Sequence, residues 1–104
     1  MASTSALQSP LYLVMIDYGS IGREGFCDPD ATRAGVTRNI QVGEYSGSVL
    51  YVLEIQPDEN TSRDVSLSIA EDIAAAREFI CEEGVAFINR HAPALAREID
   101  RRAA

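Results

Sequence analysis

The chain has 104 residues, 46% of them apolar and 24% charged, and a net charge of −7. That length suits one domain around a single core, and the excess of acid argues against a partner with a phosphate backbone. All nine basic residues are arginine, which excludes a phosphate-loop lysine, a Schiff-base lysine and a lysine general base.

Charge is uneven along the chain: residues 1–50 carry −2, residues 51–83 carry −7 and residues 84–104 carry +2. No positively charged stretch precedes an apolar run near the N-terminus, and the longest apolar run, LYLVMI, is too short to cross a bilayer. The expectation is a cytoplasmic protein with no membrane partner and no nucleic-acid partner. Its two cysteines, Cys27 and Cys81, form no CxxC pair and are expected to stay reduced.

Residues 1–10, MASTSALQSP, are small and polar and read as a flexible leader. Residues 11–104 read as a single domain. LYLVMIDY (11–18) is almost continuously apolar, with Val14 and Ile16 branched at Cβ. Such continuity predicts a strand covered on both faces, or central in its sheet. REGFC (23–27) predicts a second strand, joined to the first by YGSIG. Gly19, Gly22 and Gly25 make a GxxGxxG spacing, which is neither the dinucleotide fingerprint nor a phosphate loop. Glu24, Asp28 and Asp30 outweigh Arg23 and oppose an anion. The segment therefore reads first as a strand reversal, where glycine makes positive φ cheap.

Asp28 and Pro29 suit a helix start. The helix is expected to run to about Val42 and stop at Gly43, with Thr32, Val36 and Ile40 inward. VLYVLEI (49–55) predicts a third strand, with Val49, Tyr51, Leu53 and Ile55 on one face and Leu50 and Val52 on the other. QPDENTSRD (56–64) reads as a polar loop. A long helix then begins between Asp64 and Ser68, where SIAE (68–71) has capping-box spacing. At about 100° per residue, Ile69, Ile73, Ala76, Ile80, Gly84, Phe87 and His91 fall on one stripe. One continuous helix to His91 is expected, with Gly84 turned inward. Pro93 interrupts it and opens a short terminal helix with Leu95 and Ile99 inward. The order is β-β-α-β-α-α. A crossover from the second strand to the third places the third beside the first. The predicted fold is α+β: a two-layer sandwich of a small three-stranded mixed sheet, order 2-1-3, with helices packed on it.

Reactive chemistry is sparse. One histidine, His91, and two separated cysteines fall short of zinc-site spacing, and the short acidic runs lack a calcium-loop pattern, so no metal and no cofactor is expected. His91 reads as structural, and both thiols read as buried and inert. Phe79 lies about 60° off the inward stripe. It is flanked by Ala75 and Ala86 with Arg90 at the margin, as on an association patch, unless the terminal helix covers it. Two functions follow. The first is a non-enzymatic interaction or regulatory module acting as a homo-oligomer, its partner being itself or another protein. It would use helix 66–91 or edge pairing by strand 23–27. The alternative is a small enzyme or ligand-binding domain for a small molecule, with Asp17, Tyr18, Arg23, Glu24 and Asp28 lining a polar site at the turn 17–28. No catalytic set is assembled in the sequence, so the first function leads.

Overall fold

The computed structural model describes residues Pro10–Ala103. All but the last residue of the expected leader lies outside them. Strands β1 (Leu11–Asp17), β2 (Arg23–Cys27), β3 (Ser48–Gln56) and β4 (Thr61–Asp64) form one sheet in the order β2-β1-β3-β4. Helices α1 (Arg33–Val42), α2 (Ser66–Ala76), α3 (Glu82–His91) and α4 (Pro93–Ala103) pack on one face of it. The core forms between the layers. Val14, Ile16 and Val52 reach it from the sheet, Val36 and Ile40 from α1, Ile69 and Ile73 from α2, and Phe87 and Ile88 from α3.

The α+β class and the 2-1-3 order stand, but the sheet has four strands rather than three, and its neighbouring strands are all antiparallel rather than mixed. The strand missed in the sequence is β4, TSRD. All four of its residues are exposed, so it carries no apolar alternation to detect. It pairs with the end of β3, from Leu53↔Asp64 to Gln56↔Thr61, after a tight turn. Within that turn Asn60 takes a left-handed conformation (φ 55°) that asparagine tolerates well.

One helix start differs from expectation, and a second falls within its expected range but with another cap. The first helix begins at Arg33, not at Asp28. Thr32 caps it, its Oγ1 accepting from the Gly35 amide at 3.0 Å. Asp28 is spent on the preceding turn, where its Oδ1 accepts from the Asp30 amide at 2.9 Å and its carbonyl from Ala31. The helix stops at Gly43 as expected (φ 80°). At α2, Ser68 and Glu71 form no capping box. The helix begins at Ser66, whose amide donates to Asp64 Oδ1 at 2.8 Å.

The long helix expected from Asp64–Ser68 to His91 is two helices. Arg77 turns left-handed (φ 56°) and ends α2, and α3 restarts at Glu82. The hydrophobic stripe keeps its phase across this gap, so periodicity alone could not show the break. Tertiary hydrogen bonds hold it open. The Cys81 amide donates to the Gln41 carbonyl at 2.8 Å, and buried Gln41 Nε2 donates to the Phe79 carbonyl at 2.9 Å. Cys81 then caps α3, its Sγ accepting from the Gly84 amide at 3.2 Å. Gly84 faces inward as expected. A Cβ there would stand 3.0 Å from the Ile40 carbonyl oxygen and 3.2 Å from that of Gln41.

β4 covers only the last four residues of β3, so the rest of that strand finds partners elsewhere. Val52 donates its amide to Ser66 Oγ at 2.8 Å and accepts from the Val65 amide at 3.0 Å. The carbonyls of Val49 and Leu50 accept from Arg90 Nη1 and His91 Nε2, each at 2.8 Å. The last contact fixes the tautomer, because a carbonyl can only accept and Nε2 must carry the proton. Leu50 is the extra residue of a β-bulge, since β1 pairs with Tyr51 and then with Val49. The bulge moves Val49 onto the helix-covered face, opposite to its expected side, while Tyr51, Leu53 and Ile55 keep the other.

Two substitutions test this packing by denaturant unfolding. Gly84→Val should cost about 1–3 kcal/mol, because the α1 carbonyls opposite it cannot give way. Arg77→Gly should stabilise by up to about 1 kcal/mol, by removing the left-handed penalty of a side chain.

Candidate functional site

The face of the sheet turned away from the helices is apolar along its two central strands. Successive strand residues alternate between faces. Leu11, Leu13 and Met15 of β1 therefore lie beside Ile55, Leu53 and Tyr51 of β3 in three cross-strand rows. All six are half-buried, and none belongs to the core cluster or packs on it. β2 adds Gly25 opposite Met15 and Cys27 opposite Leu13. A Cβ on Gly25 would meet Leu13 Cδ1 at 2.9 Å and Met15 Cε at 3.6 Å, so those two side chains lean over the glycine on this same face. Charge is confined to the rim, with Asp17 and Arg23 at one end of the face and Asp64, opposite Leu53, at the β4 edge.

The five polar residues predicted for the turn 17–28 do not converge. Asp17 Oδ1 accepts from the Gly19 amide at 2.8 Å, which ties it to the turn. Arg23 Nε approaches Asp17 Oδ2 at 4.0 Å with 70% of its side chain exposed, a contact of little energetic weight. Glu24 follows Arg23 in an extended strand and so projects to the opposite face. Tyr18 packs against the core edge, and Asp28 serves the turn before α1. Gly19 (φ 76°) and Gly22 (φ 115°) supply the positive φ values of the reversal, and Gly25 lies within β2.

A second polar group gathers where the helix layer ends, and nothing in the sequence pattern announced it. Glu54 is 9% exposed on the helix side of β3. Its Oε2 accepts from Tyr12 Oη at 3.0 Å and its Oε1 from Arg63 Nε at 3.0 Å. A polar hollow of about 310 Å³ opens beside it, lined by Glu54, Gln56, Glu59, Thr61, Ser62 and Arg63. Both carboxylate oxygens are already engaged, and no thiol or histidine lines the hollow, so the group works as a latch between β1, β3 and β4. Nearby, Arg33 bridges α1 to α2, donating to Ser68 Oγ and to Asp72 Oδ2.

The remaining candidates occupy separate places. Phe79 is 76% exposed, in the linker between α2 and α3 rather than on a helix. Ala75 lies on α2, and Ala86 and Arg90 lie on α3, so the helical wheel that grouped the four does not apply across the break. Arg90 holds the Val49 carbonyl, as described above. Ala75 lines a hollow of about 270 Å³ between α2 and α4 with Leu95, Arg102 and others. Cys27 is exposed on β2 rather than buried, and Cys81 is the half-buried cap of α3. Among the described residues, no group of three or more histidine, cysteine, aspartate or glutamate side chains could hold a metal ion, and no helix is long and apolar enough to cross a membrane. Comparison with known proteins returns no matching family, no matching curated protein and no matching solved structure.

The latch has a pH signature. Burial first, and then the hydrogen bond to Glu54, push the Tyr12 hydroxyl above the ordinary tyrosine range, and burial does the same to Tyr45. The folded state holds both protons more tightly than the unfolded chain does. The stability this contributes is whole below the unfolded tyrosine pKa of about 10 and is lost as pH rises through the folded values. Unfolding free energy should therefore fall as pH rises past about 10, and Tyr12→Phe should flatten part of that decline in denaturation curves taken at increasing alkaline pH.

Proposed function

We propose that this protein is a non-enzymatic interaction module that acts as a homo-oligomer. One observation carries the reading: six large apolar side chains of the two central strands lie outside the protein's own core, on a face that no element of the described chain covers. Apolar area left in water is costly, at roughly 25 cal/mol per Å², and a contiguous patch of this kind marks an association surface. The β1 sequence points the same way, because its near-continuous apolar run is that of a strand buried on both faces.

The distribution of reactive groups supports the absence of catalysis. Glu54, Tyr12 and Arg63 satisfy one another, His91 holds a backbone carbonyl, and Cys81 caps a helix. The alternative of an enzyme or ligand-binding domain at the turn 17–28 draws no support from the geometry, since Arg23 and Glu24 point to opposite faces and Asp17 is committed to the turn. We place the module in the cytoplasm. An exposed unpaired thiol such as Cys27 suits a reducing compartment.

The experiment is sedimentation velocity over a concentration series. The expected result is a weight-average mass that rises from the 11.3 kDa of one chain towards a multiple of it through the micromolar range. A single monomeric species up to high micromolar concentration would overturn the reading.

A further inference from the structure

We propose that the occupant of the open sheet face is a second copy of this chain, packed sheet against sheet. The proposal rests on the association reading above and names its surface and partner.

The charge pattern selects the face through which two copies can meet. The face itself carries three ionised residues, Asp17, Arg23 and Asp64, all on its rim. Glu71, Asp72, Glu78, Glu82 and Glu83, by contrast, belong to the helical layer on the other side. Two chains of charge −7 therefore meet with least repulsion through their sheets. A two-fold axis running along the strands lays the β2 edge of each copy over the β4 edge of the other and the apolar central strands of the two copies over each other. Large side chains fill the two central strands, while Gly25 and Cys27 leave the β2 edge low.

Area is consistent with a reversible pair. Strands about 4.8 Å apart and about 3.3 Å per residue give a face of roughly 400 Å² in projection, so two copies bury roughly 800 Å² together. That is the size of a weak, transient interface, and it points to a dimer that forms and separates in the micromolar range. The leader is a poor substitute. Residues 1–9 hold two large apolar side chains, Met1 and Leu7, against the six on the face.

The test compares dimerisation of the full chain with that of Leu13→Glu, Leu53→Glu and Phe79→Glu variants, and of a chain lacking residues 1–9. Far-UV circular dichroism and the unfolding midpoint serve as controls for folding. Leu13 and Leu53 lie outside the core, so both variants should fold. Each should dimerise about a hundredfold more weakly or worse, because it buries an unpaired carboxylate. Phe79→Glu and the shortened chain should dimerise as the parent does. Tyr51→Arg repeats the test with the opposite charge if either glutamate variant unfolds. A dimer that survives the sheet-face variants but is dispersed by Phe79→Glu would overturn this surface and leave the association reading intact. A dimer lost with residues 1–9 would assign the surface to the leader. A parent chain that stays monomeric throughout would overturn both this proposal and the reading beneath it.

Discussion

The backbone of β3 is the constraint around which the rest is arranged. It pairs along its length with β1, but β4 reaches only its last four residues. A buried peptide group without a partner costs about as much as a lost hydrogen bond. The chain meets that demand from its helical layer. Val65 and Ser66 continue the ladder at Val52, and Arg90 and His91 reach the carbonyls of Val49 and Leu50. Those contacts fix where α2 begins and how α3 lies against the sheet. The break between the two helices follows from the same geometry. Within one straight helix, Ser66 could not meet Val52 while Gly84 met the end of α1 and His91 met Leu50, two residues away on the same strand.

Anchoring the helices to β3 also determines which side of the sheet they cover. Residues 33–103 supply all four α-helices, and these close over Tyr12, Val14, Ile16, Val49 and Val52. Among the described residues, nothing is left to cover the other side. The two central strands are apolar on both faces, and only one of those faces is matched among the described residues. The mismatch is specific to β1 and β3. The edge strands carry polar or small residues on the open side, namely Arg23, Gly25 and Cys27 on β2 and Ser62 and Asp64 on β4. An apolar centre with a polar rim is the anatomy of an interface.

The buried polar side chains serve the architecture. Glu54 joins three strands through Tyr12 and Arg63, and Gln41 ties the helix linker to α1. No buried side-chain nitrogen or oxygen among the described residues lacks a partner. Here the polar groups of the interior already satisfy one another, and what remains unmatched is hydrocarbon.

Much of this was legible in the amino-acid order. Val14 and Ile16 marked β1, Gly43 marked the end of α1, Ile69 and Phe87 marked the inward face of α2 and α3, and Gly84 marked a close approach. These are local or periodic features, and local sterics and burial suffice to set them. The order of three strands followed from one crossover. Tertiary structure decided the rest. β4 has no apolar pattern and exists because the end of β3 needs a partner. The bulge at Leu50 reverses the face of Val49, which alternation could not foresee. Arg77 breaks a helix whose periodicity continues unbroken, because hydrogen bonds from Gln41 reward the interruption. The sequence by itself determined that β1 and β3 are apolar on both sides. Only the fold decided that one of those sides would face away from the helices, because every helix is committed to closing the other.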